Sequence, residues 1–71
     1  MRYLVVVEKG PHSFGAYVPD LPGCIAAGES REEVLKLIRD AVEFHLEGLR
    51  EDGHPVPPPS SFSEVIEVET A

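Results

Sequence analysis

The apolar positions of the chain fall first into one short, dense run. Residues 2–8 are rich in Tyr, Leu and Val and stop at Lys9-Gly10-Pro11-His12, where glycine and proline interrupt any regular element. Residues 13–18 alternate, with Phe14, Ala16 and Val18 on one face of a second strand and Ser13, Gly15 and Tyr17 on the other. The short loop between the two strands makes them a hairpin. Leu21-Pro22-Gly23-Cys24 then places Pro22 and Gly23 at the centre of a type II turn, where proline presets its φ and glycine accepts a positive one. The chain reverses there into a short third strand over residues 24–27, closed by Gly28.

Beyond Glu29 the period of the pattern changes from two to about 3.6. Val34, Leu35, Ile38, Ala41, Val42, Leu46 and Leu49 recur at three- and four-residue steps, a stripe wide enough to pack on a sheet. Ser30 and Glu33 have the spacing of a capping box, in which the hydroxyl takes a helix-start amide and the carboxylate reaches back to the amide of Ser30. The expected helix spans residues 30–52, with Gly53 as its left-handed stop and Pro55 forbidding continuation. Pro55, Pro57, Pro58 and Pro59 make residues 54–61 a stiff, extended connector. Residues 63–69 alternate again, Ile66 and Val68 opposite Glu67 and Glu69, as in a half-buried strand at or near a sheet edge. The pattern predicts one domain over residues 1–71 of order β-β-β-α-β. Its class is α+β in two layers, one long helix packed on one face of a mostly antiparallel sheet.

A single helix covers only one face of a sheet, yet the first strand is apolar on both, with Tyr3, Val5 and Val7 on one side and Leu4 and Val6 on the other. A large apolar patch left in water marks an interface. Leu37 and Phe44 sit one heptad apart and off the main helical stripe; the plain reading is flank packing, and the sharper one a second contact face. His45 lies on the apolar stripe, where an imidazole must find a hydrogen-bond partner in the core or meet another protein. The candidate interface comprises Tyr3, Val5, Val7, Tyr17, Leu37, Phe44, His45, Glu67 and Glu69, and self-association into a dimer or higher homo-oligomer is expected.

Composition narrows the chemistry. Seventy-one residues are too few for a two-domain enzyme. Thirteen acidic against six basic side chains give a net charge of −7, which repels phosphate backbones and anionic membranes, so neither direct nucleic-acid nor membrane binding is expected. The longest apolar run, Leu4 to Val7, is far below the ~20 residues of a membrane span, and the N-terminus lacks a signal-peptide pattern. A cytoplasmic location follows, with which a single cysteine agrees. Cys24 has no base adjacent in sequence and reads as an inert thiol. His12, His45 and His54 lack metal-ligand spacing. Asp20, Glu29 and Glu64 are the carboxylates near strand ends. Their plain role is to solvate loops, Asp20 accepting nearby backbone amides, and their remote one is a residual metal-dependent ribonuclease. No catalytic residue, cofactor or metal is expected.

The ordered set Pro19-Asp20-Leu21-Pro22-Gly23-Cys24, Gly28-Glu29-Ser30, Glu47-Gly48-Leu49-Arg50-Glu51-Asp52-Gly53, then Pro55 and Pro57 resembles the HicB antitoxin family over about residues 2–59. The resemblance implies a partially degenerate ribonuclease-H-like fold without catalytic residues. It also implies homo-oligomeric assembly and, as partner, the small basic mRNA interferase HicA, whose active site such a domain blocks. The helix-turn-helix or ribbon-helix-helix module that many such antitoxins carry after this domain has no counterpart before Ala71, so no C-terminal DNA-binding domain is expected. The rival to a toxin-masking module is a stand-alone self-associating domain with no toxin partner.

Overall fold

In a computed structural model, which describes residues 1–70, three strands and one helix follow in the order β1 (Val6–Lys9), β2 (Phe14–Tyr17), β3 (Ile25–Gly28) and α1 (Arg31–Glu51). The strands form an antiparallel meander of order β1-β2-β3, and the class is α+β. The ladder is shorter than the apolar pattern of residues 2–8 predicts. Its register pairs Val6 with Tyr17, so the next rungs would fall at Val18 and Pro19, where the chain already turns and proline has no N–H to donate.

The segment from Val18 to Cys24 is two turns in succession. The Leu21 amide donates to the Val18 carbonyl at 3.1 Å and the Cys24 amide to the Leu21 carbonyl at 3.0 Å. Proline follows the first residue of each turn, and Gly23 takes φ 84°, as a type II turn demands. A third bond, from the Val18 amide to the Cys24 carbonyl at 3.2 Å, closes the loop. The double reversal swings Leu21 inward until it has no exposed surface. It joins Ala16, Val18, Cys24, Val34 and Ile38 in the core, a role the turn motif conceals because Leu21 lies outside every periodic element.

Helix α1 begins at the N-cap Ser30, whose Oγ accepts from the Glu33 amide at 3.1 Å. The Glu33 carboxylate accepts instead from the Glu29 amide at 3.1 Å, one residue earlier than the capping-box spacing predicts. At the other end the Gly53 amide donates to the Arg50 carbonyl and the His54 amide to the Leu49 carbonyl. With Gly53 at φ 70°, this is a Schellman stop. The helix lies mainly over β3 and β2 and only lightly over β1. Small residues permit the approach: a Cβ on Gly28 would stand 3.0 Å from the Val34 amide nitrogen and 3.2 Å from its Cα, backbone that the Ser30 cap holds in place.

The expected strand over residues 63–69 is absent from the fold: residues 54–70 form no regular element, and Ser63 to Thr70 are exposed. The alternation there is that of a strand, but a strand needs a paired backbone for its N–H and C=O groups, and among the described residues no strand pairs with these. Among the described residues no helix is long and apolar enough to cross a membrane.

Candidate protein-binding site

The antiparallel register decides which side chains share a face. Val7, Ala16 and Ala26 are cross-strand partners that face α1, while Val6, Tyr17 and Ile25 form the adjacent row on the opposite side of the sheet. Among the described residues no layer covers that outer face. Ile25 is 71% exposed and Tyr17 40%, with Leu4 and Val6 half-buried beside them. Glu8 continues the outer side of β1 two residues beyond Val6 and is exposed, so a carboxylate borders the apolar row.

The residues proposed above as one interface occupy separate places. Tyr3, Val5 and Val7 pack against the core on the helix side, so the outward residues of the first strand are Leu4 and Val6. Tyr17 belongs to the outer face. Phe44, 80% exposed, and Leu37 look out from the helix, whereas His45 is half-buried. Glu67 and Glu69 stand exposed beyond the connector. The reason is the register: strand periodicity separates the two faces of each strand, but only pairing says which face of β1 lies on the same side as Tyr17. The sequence pattern does not mark Ile25 as an outer-face residue, because its strand is only four residues long. The available signal was one large apolar residue between the small Cys24 and Ala26.

Asp20 has a structural task 40 residues away. Its carboxylate accepts from the Ser60 and Ser61 amides, each at 2.9 Å, and from the Ser60 and Ser61 hydroxyls at 3.0 and 2.8 Å. The Tyr3 hydroxyl donates to the Pro57 carbonyl. Together these clasp the connector along the body. The amide of Ser61 foremost, then that of Ser60, holds the Asp20 carboxyl at about 2, below its ordinary 3.8. A depressed carboxyl stabilises the clasp fully above its ordinary pKa, and this contribution is lost as pH falls towards about 2. An NMR titration is expected to place the Asp20 midpoint near 2, with protection of the Ser60 and Ser61 amides from exchange lost over the same range. A midpoint near 3.8 would mean the clasp does not form.

The carboxylates of Asp20, Glu29 and Glu64 do not converge, and among the described residues no group of three His, Cys, Asp or Glu side chains is placed to hold a metal ion. Cys24 is buried, and burial pushes its thiol pKa up, away from the thiolate a nucleophile needs. What the surface offers is an apolar row in an acidic protein, which is protein-binding chemistry.

A family model for the HicB-like antitoxin of bacterial toxin-antitoxin systems matches residues 3–70. The chain is 33% identical over 66 residues to an uncharacterised 14.9 kDa protein from the rep-hol intergenic region of Haemophilus phage HP1, covering 93% of this chain and 50% of that one. It is likewise 33% identical over 66 residues to Antitoxin HicB 2 of Photorhabdus laumondii, covering 93% and 48%. The chain thus spans about half the length of these two relatives. Among solved structures it is similar to a chain of a HicA3 and HicB3 toxin-antitoxin complex, with a TM-score of 0.71 and 33% identity over 83% of this chain and 70% of that one.

Proposed function

The chain belongs to the HicB-like antitoxin family of bacterial toxin-antitoxin systems, and on that premise we propose that it is a non-catalytic antitoxin module that binds and masks a small, basic HicA-type mRNA interferase. The observation that carries the proposal is the likeness, at 33% identity, to a chain solved in a toxin-antitoxin complex. Charge supports it as well. A net charge of −7 steers a cationic partner towards the molecule and disfavours direct competition for RNA.

The masking surface in this reading is the outer sheet face. Tyr17 and Ile25 supply apolar anchors that lose water on docking, and Glu8 supplies a carboxylate for a cation at the rim. The test is an RNA-cleavage assay with a HicA-type interferase. RNA is expected to survive once the antitoxin is equimolar with the toxin at concentrations well above their Kd. Undiminished cleavage at a saturating excess would overturn the proposal.

A further inference from the structure

The basic side chains of this acidic protein are unevenly placed. Because α1 lies mainly over β3 and β2, a groove of about 850 Å³ opens between the N-terminal residues and the helix. Four of the six basic residues, Arg2, Lys36, Arg39 and Arg50, line it against one carboxylate, Glu43. Its apolar lining includes Tyr3, Val5, Ile38, Val42 and Leu46. The groove therefore has the opposite charge from the molecule as a whole and suits an apolar, acidic, extended segment.

Such a segment stands unpartnered in the same chain. Residues 64–69 read Glu-Val-Ile-Glu-Val-Glu, and Val65, Ile66 and Val68 are 94, 80 and 78% exposed. The Asp20 clasp fixes the base of the segment at Ser61, and Phe62 and Ser63 lie beside Arg2, Tyr3 and Leu4. Residues 64–70 contain no Gly, Pro, Asn or Asp, so nothing favours the reverse turn that would bring them back into their own groove, while Val and Ile favour extension.

We propose that residues 63–69 of one copy fill the groove of a second copy, and that the second copy reciprocates, giving a strand-exchanged homodimer. Ile66 and Val68 supply the apolar anchors, and Glu64, Glu67 and Glu69 meet Arg2, Lys36, Arg39 and Arg50. The segment runs in the groove between the N-terminal residues and α1. Reciprocal exchange uses both tails and both grooves and so closes at two. This interface is distinct from the outer sheet face and does not depend on a toxin.

Sedimentation of the full chain tests the proposal. The wild type is expected to dimerise, at twice its 7.8 kDa mass, and to dissociate more readily in high salt. Reversing the groove (Lys36→Glu with Arg39→Glu) or the tail (Glu67→Lys with Glu69→Lys) should each weaken dimerisation on the order of 100-fold. Circular dichroism should show both variants folded. An equimolar mixture of the two should dimerise again, because both groove-tail pairs are complementary in the heterodimer, a rescue that occupancy within one chain cannot give. A monomeric wild type or a mixture without rescue would overturn the proposal. So would a dimer indifferent to groove reversal.

Discussion

Leu21→Ala is expected to lower stability by about 3 kcal/mol, within the range for removing a buried leucine side chain from a core. Leu21 is fully buried and sits where two consecutive turns meet, so the backbone on either side is held by the bonds between Val18, Leu21 and Cys24. A site pinned in this way cannot collapse to fill the void, which puts the cost well above that of losing transfer energy alone. Against a total of roughly 4–11 kcal/mol for a chain of this length, the loss is a large fraction. It corresponds to a fall in Tm of roughly 10–25 °C. Thermal denaturation at matched protein concentration reads it directly, with Leu37→Ala on the exposed side of the helix as a control expected to change Tm little. Equal effects of the two substitutions would show that Leu21 is not a core residue.

Ile25→Lys should weaken toxin masking while leaving the fold intact. The side chain is 71% exposed at the β3 end of the outer row, next to Tyr17 across the ladder. Replacement by lysine buries nothing unfavourable in the free protein, and a surface change of this kind alters stability by about 0.5 kcal/mol or less. In a complex with a basic partner the same change removes an anchor and adds a like charge. A loss of about 2 kcal/mol is expected, or roughly 30-fold in Kd. Titrating a HicA-type ribonuclease with wild-type and variant protein measures the shift. An unchanged midpoint would remove the outer face from the toxin interface, and the homodimer should be unaffected, since Ile25 does not line the groove.

The candidate surfaces were legible in the sequence to different degrees. The excess of apolar residues over what one helix covers can be counted from the first strand, and Phe44 can be seen to lie off the helical stripe. That Tyr17 joins Val6 and Ile25, while Tyr3, Val5 and Val7 turn towards the helix, depends on a register shared by three strands. The Asp20 clasp was hidden for a related reason. An aspartate before Leu-Pro-Gly reads as a local turn former, and nothing within a few residues of it names Ser60 and Ser61. The basic groove gathers residues from positions 2, 36, 39 and 50, which no sequence window contains.

By itself the sequence determined the local events. It set the Leu21-Pro22-Gly23-Cys24 turn with Gly23 at positive φ, the Ser30 cap, the long amphipathic helix and the glycine stop at Gly53, each governed by interactions among residues a few places apart. Tertiary structure alone decided whether an alternating segment becomes a strand, which apolar face the helix covers and where the cations collect. Residues 63–69 have the composition of a strand, but a strand is completed by a paired backbone, and among the described residues none pairs with them.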